Sequence, residues 1–283
     1  MVAQVATVVS RLGAVQAQDY PGTVWSLGLR VPGSVEADIE AAVEAARIVR
    51  TWPMRGTLHF VAADDLRWMV RLLTPRVIAG TRARQVNLEL DAAQFAASQD
   101  TMRRALSGGQ VLSREALLAA VQADGISTAG GRGYHFLFRA AMDLVICVGP
   151  TRDKEQTFAL LDDWVPPSLD CGLEGEAAVA ELAWRYFSSH GPVVVKDFAG
   201  WAGLNMTEAK AGLVANRQRL ESEKIDGVEY WWAAADGACT GQPAVAGNGT
   251  EATALTKGTV KAKQATPGGR SDDNQSVPGL QGS

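Results

Sequence analysis

Gln16 and Gln18 stand one residue apart in the stretch VQAQDY. A carboxamide does not titrate near neutral pH, so it neither attacks a substrate nor takes a proton from one. It can hold a water through its oxygen and turn its dipole toward a developing positive charge. Both effects count in catalysis when the groups are held in place. The residues alone leave a second reading open, in which the pair is loop polarity bonded to nearby backbone. Asp19 is a third polar group here, placed to cap the turn before Pro21.

A second cluster lies in RTWPMRGTLHFV, where Arg50, Arg55, Thr57 and His59 fall within ten residues. It belongs to a segment carrying Arg47, Arg50, Arg55, Arg67, Arg71, Arg76, Arg82 and Arg84 against only Asp64 and Asp65. Such a segment is either a basic surface for nucleic acid or a set of solvated helix faces. His59 either contacts a ligand or serves the strand it sits on. Trp52 reads as a stacking residue or a core residue, the core being favoured, and His135 reads as part of a helix. Lys196, Asn205 and Lys210 form a third, sparser polar group.

Other chemistries are poorly supplied. The histidines at 59, 135 and 190 and the cysteines at 147, 171 and 239 are widely spaced and show no ligand spacing. No metal site, no cofactor and no disulfide framework is expected, and a reducing cytoplasm fits. The N-terminus lacks the basic and apolar regions of a signal peptide. No apolar run approaches the roughly 18 residues of a membrane helix, so no membrane partner is expected. A net charge of −4 and a pI of about 5.5 argue against nucleic-acid binding through the whole surface. A local basic face remains compatible with them.

The elements that must position these residues follow from periodicity. Residues 3–13 read as a helix, 15–23 as a loop broken by Pro21-Gly22, and 23–31 as helix or strand. Ser34 is expected to cap a helix from Val35 to about Val49, and RTWPMRGTLHFV to form a hairpin. Helices follow from Asp64, with Pro75 bending it, from Asp91 to Leu106, from a cap at Ser113, and from Gly133 to Leu144. VICVGPTRDKEQTFALL reads as a second hairpin. EGEAAVAELAWRYFSSHG is a helix ending at Gly191, followed by two short helices and a hairpin turning at Asp226-Gly227. Helices followed by a hairpin thus recur three times, which is winged-helix patterning. The fold class is α+β, mainly helical, with tandem winged-helix units at 1–90, 91–168 and 169–233. Residues 234–283 are poor in apolar side chains and are expected to be a disordered tail.

LGAVQAQDYPGTVWSLGLRV, RTWPMRGTLHFV, ICVGPTRDKEQTFALLDDWVP and HGPVVVKDFAGWAGLNMTEAK resemble, in this order, segments of the AlkZ-like family of bacterial tandem winged-helix DNA glycosylases. The resemblance runs from about residue 5 to 232. It implies a monofunctional enzyme that removes alkylated purines and unhooks interstrand crosslinks. Gln16-Ala17-Gln18 matches the family's Gln-x-Gln form, which makes Gln16 and Gln18 the catalytic candidates. Arg50, Thr51, Arg55, Gly56, Thr57 and His59 match an Arg-Thr-x-x-x-Arg-Gly-Thr-x-His segment. The expected DNA-binding residues are Arg50, Arg55, Thr57, His59, Lys196 and Lys210. An N7-alkylated purine already carries a positive charge, so a glutamine-positioned water suffices to hydrolyse its glycosidic bond. The implied partner is double-stranded DNA containing alkylated purines, met by a monomer in the cytoplasm at the nucleoid. The alternative is a non-catalytic winged-helix DNA-binding or regulatory protein, or an inactive remnant. Measured against the family pattern, a leading helix and a C-terminal β-rich module are expected to be missing.

Overall fold

The computed structural model describes residues 1–152 and 155–235. The expected tail lies, from residue 236, outside the described residues, as does Cys239. Helix and sheet are mixed, with helix predominating.

One order of elements recurs three times: helix, short strand, two helices, hairpin. The short strand pairs back on the second arm of its hairpin each time. The first round is α1 (Val2–Leu12), β1 (Val15–Gln16), α2 (Tyr20–Gly28), α3 (Glu36–Glu44), β2 (Ile48–Met54) and β3 (Thr57–Ala62). Helices α4 (Ala63–Gly80) and α5 (Arg82–Asn87) lead to the second round. That round is α6 (Ala92–Leu106), β4 (Leu112–Ser113), α7 (Arg114–Ala123), α8 (Arg132–Met142), β5 (Ile146–Val148) and β6 (Thr157–Leu160). A short α9 (Leu161–Trp164) precedes α10 (Gly175–His190), α11 (Val195–Ala202), α12 (Met206–Ala215), β7 (Leu220–Ile225) and β8 (Val228–Ala233). In this third round the short strand shrinks to a single bridge, Val193 with Trp231. The order is consistent with three winged-helix units.

The first two hairpins form one sheet. Arg50 of β2 pairs with Val148 of β5, giving six strands in the order β1-β3-β2-β5-β6-β4. The third hairpin is a separate two-stranded sheet. Periodicity along the chain carries no information on which hairpins join, so this union was not expected.

Several local expectations are corrected. Val15 and Gln16 are strand, paired with Phe60 and His59, and Pro21-Gly22 lie inside a helix instead of breaking a loop. Asp19 caps that helix by accepting from the Gly22 amide at 3.2 Å, and Pro21 occupies the first turn, where its missing N–H goes unused. Ser34 makes no cap. Helix α3 opens after Val35, whose amide donates to the Asp38 carboxylate at 2.9 Å. It ends at Glu44, because Ile48 and Val49 are β-branched and enter a strand buried along its whole length. Pro75 sits within α4 without ending it, and α5 had no counterpart in the expected elements.

The first hairpin turns on Arg55-Gly56, both at positive φ (53° and 72°), the requirement of a type I′ turn. The register slips between Thr51 and Met54, and Pro53, with no N–H for the ladder, falls in that irregularity. Against this sheet packs α4, which buries Leu66, Trp68, Met69, Val70 and Leu73 in a core shared with α10, α11 and α12.

Candidate active site

Strand alternation places Gln16 and Gln18 outward and Ala17 inward, where Ala17 is fully buried. The two carboxamides meet: Gln16 Nε2 donates to Gln18 Oε1 at 3.1 Å. That leaves Gln16 Oε1 as an acceptor and Gln18 Nε2 as a donor, side by side and facing solvent.

The backbone beneath them is pinned at Gln16, Ala17 and Asp19. The Ala17 amide donates to the Leu58 carbonyl at 2.7 Å. The Ala17 carbonyl accepts from Arg50 Nε at 2.9 Å. The Thr23 hydroxyl lies 2.8 Å from the Gln16 carbonyl and 2.6 Å from the Asp19 carbonyl, sharing its proton between them. Sequence reading missed Thr23, because a threonine early in a helix carries no signal of a partner seven residues back.

Sheet register sets His59 of β3 directly across from Gln16. His59 is 1% exposed. Its Nδ1–H donates to the Thr57 carbonyl at 2.9 Å, and its Nε2 faces Arg55 Nη2 at 3.4 Å, an acceptor for the guanidinium. Burial pushes the imidazole down to about 4, the Thr57 carbonyl opposes that, and the Arg55 charge adds to it. His59 is therefore neutral at pH 7 with its proton on Nδ1. The Thr57 hydroxyl is buried with no hydrogen-bond partner among the described residues. Arg55 is exposed at the hairpin tip and runs over Gly203, where a Cβ would stand 3.3 Å from its Cγ. Gly203, at φ 69°, turns the chain between α11 and α12. Arg55 and Arg76 meet the third round there, around a shallow cavity of about 220 Å³ completed by Leu73, Val77, Ala202 and Gly203.

Arg50, expected at phosphate, is 9% exposed and turned inward. Besides Ala17 it donates to Gln156 Oε1 at 3.0 Å and lies 5.5 Å over the Tyr20 ring. Burial lowers its pKa from the ordinary guanidinium range. Three other arginines of the basic segment are staples. Arg67 binds Asp162 and the Val165 carbonyl, both at 2.7 Å. Arg71 holds Asp170 through two bonds of 2.7 Å, and Arg76 holds Glu208 at 2.8 and 3.0 Å. Those pairings hold the Asp170 and Glu208 carboxyls below the usual carboxylate range. Arg47, Arg55, Arg82 and Arg84 remain exposed, with no carboxylate partner among the described residues.

Lys196 on α11 and Lys210 on α12 are exposed and lie away from the glutamine loop in sequence and element. Asn205 caps α12 by accepting from the Glu208 amide at 2.9 Å. Trp52 is a core residue, edge-on to Phe138 and Tyr134. His135 is half-buried beside Tyr134, and burial lowers its pKa.

A model of the DNA glycosylase AlkZ-like family matches residues 9–252. The chain belongs to this family. The match to the AlkZ-like model continues past Trp232, where the sequence resemblance ends. An interstrand DNA cross-link repair glycosylase of Streptomyces sahachiroi is 26% identical over an alignment of 217 residues, and the match covers 71% of this chain and 55% of that protein. The solved DNA glycosylase AlkZ of Streptomyces sahachiroi superposes with a TM-score of 0.68 at 22% identity, over 81% of this chain and 64% of that one. This AlkZ-like chain therefore spans between half and two-thirds of the length of these relatives, and the structural likeness establishes its fold. Among the described residues no helix is long and apolar enough to cross a membrane.

Proposed function

We propose that this AlkZ-like chain is a monofunctional DNA glycosylase that hydrolyses the glycosidic bond of cationic N7-alkylpurines, free or crosslinked, in double-stranded DNA. The observation that carries the proposal is the Gln16–Gln18 pair, two touching carboxamides exposed on a backbone pinned at successive residues. In the reaction the C1′–N9 bond breaks and its electron pair neutralises the departing base. Water adds to C1′ and releases its proton to solvent. Gln16 Oε1 accepts from that water and orients it, and the amide dipoles favour the oxocarbenium-like sugar. No step calls on a metal or cofactor. A carboxamide takes no proton, so the site depends on a leaving group that is already charged.

The same reading takes the chain as a monomer of three winged-helix units, 1–90, 91–168 and 169–233, acting in the cytoplasm at the nucleoid. Arg55, Lys196 and Lys210 are its contacts with the DNA backbone. Thr57 is not one, because its hydroxyl is buried, and neutral His59 lies on the strand across from Gln16. The test is abasic-site formation. N7-methylguanine is expected to be released and uracil not. Gln16→Ala with Gln18→Ala is expected to slow release by roughly 10²- to 10³-fold while DNA affinity is kept. Equal release of uracil overturns the mechanism. Binding without any release leaves a non-catalytic DNA-binding protein or an inactive remnant.

A further inference from the structure

The loop joining β5 to β6 reaches across to the first round of elements at two places. Gln156 Oε1 accepts from Arg50 at 3.0 Å. Arg152 holds Glu44 through two bonds of 2.8 and 2.6 Å. The Gln156 contact continues to the active site: the guanidinium that takes Gln156 also takes the Ala17 carbonyl at 2.9 Å, between the two catalytic glutamines. Arg50 is buried, lies over Tyr20, and sits on the strand whose backbone pairs with β5 at Val148.

We propose that Arg50 and Gln156 form a latch through which the second hairpin sets the position of the Gln16–Gln18 loop. Both are positioning residues, and the role rests on the glycosylase reading above. A planar guanidinium suits the task, because its fork reaches a backbone carbonyl and a carboxamide at once. Without Gln156 the fork loses the contact that fixes its plane, and the Ala17 carbonyl loses a fixed donor. A displacement of about an ångström at a positioned group costs about 10²-fold in rate.

The experiment compares Gln156→Ala, Gln156→Glu and Arg50→Met in single-turnover release of N7-methylguanine, in duplex affinity, and in amide exchange of residues 15–19. Gln156→Ala is expected to slow release about tenfold with duplex Kd unchanged and to speed exchange in 15–19. Gln156→Glu, which keeps an acceptor for the guanidinium, is expected to retain rate and protection. Arg50→Met is expected to lose about 10²-fold in rate. Unchanged exchange in Gln156→Ala overturns the latch, and so does a Kd that weakens in step with the rate, since that marks phosphate contact. If the unaltered chain releases no base, the glycosylase reading fails by itself. The exchange comparison still decides whether Gln156 holds the loop.

Discussion

The first and third hairpins share a turn and little else. Arg55-Gly56 and Asp226-Gly227 both place two residues at positive φ, as a type I′ turn demands. Beyond the turn they diverge. Every residue of β2 is buried, and β3 lies between β1 and β2 in a six-stranded sheet. The arms of the third hairpin pair only with each other, apart from one bridge to Val193. Ile225 and Val228 stand 50% and 44% exposed. That hairpin carries Glu221, Glu223, Asp226 and Glu229 against Lys224 alone. One local signature thus yields a buried scaffold in one place and an acidic, solvated arm in another. What covers the strands decides the outcome, and the covering elements come from elsewhere in the chain.

Removing one carboxylate at each hairpin, buried beside the first and exposed on the third, gives the sharpest contrast. Asp65 opens α4 just after the first hairpin and is 3% exposed. It accepts from Arg185, from the Ser10 hydroxyl at 3.0 Å and from the Trp68 indole at 3.1 Å, tying α1, α4 and α10 together. Asp65→Ala leaves Arg185 with only Glu181 and the Ser10 carbonyl in a largely buried setting. The expected loss is about 3–5 kcal/mol, the cost of breaking a buried pair. Glu223→Ala on the third hairpin is expected to stay within about 0.5 kcal/mol. Urea unfolding of both variants measures the pair. A loss below about 1 kcal/mol for Asp65→Ala, under what even an ordinary hydrogen bond contributes, shows that the network contributes nothing to the scaffold.

A pH series probes the same scaffold through His59. Its folded pKa is depressed to about 4, against about 6.5 when unfolded. The unfolded chain therefore binds a proton that the folded chain refuses. His59 leaves stability intact above pH 6.5 and subtracts from it as pH falls toward 4. The loss specific to His59 is expected to reach about 2–3 kcal/mol by pH 4.5. His59→Asn removes it, so its unfolding free energy falls less between pH 7 and pH 4.5 than that of the parent. Equal slopes in parent and variant show that His59 is not held neutral by burial.

Legibility in the sequence divides along the same line. Valines at helical spacing announce α1, and Val5 and Val9 are its buried residues. Ser113 announces the cap of α7, and Gly-containing turns announce all three hairpins. Each of these is decided by neighbours within a few residues. Arg50 looks like any other arginine of a basic stretch, yet it bonds 33 and 106 residues away. Arg67 and Arg76 have partners 95 and 132 residues away. A guanidinium reads as surface charge until the fold supplies a buried acceptor, so the segment promised more basic surface than it presents. Gln16 and Gln18 were legible as a pair by their spacing, but the strand whose alternation sends both outward was not, since the stretch reads as a loop. The bonds that hold them were not, because Thr23, Arg50 and Gln156 carry no local mark of that use.

The smallest expected effect concerns DNA, and it asks which hairpin faces the duplex. Each phosphate neutralised by a protein cation steepens the dependence of log Kd on log salt by about 0.9. Arg55, exposed at the first turn and free of carboxylates among the described residues, is proposed as one such cation. Arg55→Ala is therefore expected to flatten the slope by about 1 on any duplex, because a backbone contact carries no sequence preference. The third hairpin behaves differently under the same logic. Four carboxylates beside phosphates would repel them, so an arm with this charge docks away from the backbone. Neutralising it through Glu223→Gln with Glu229→Gln then removes neither a contact nor a nearby repulsion, and the salt slope stays as it was. Tighter binding with a steeper slope in that double variant places the acidic arm against the DNA, and the contrast between the two hairpins collapses.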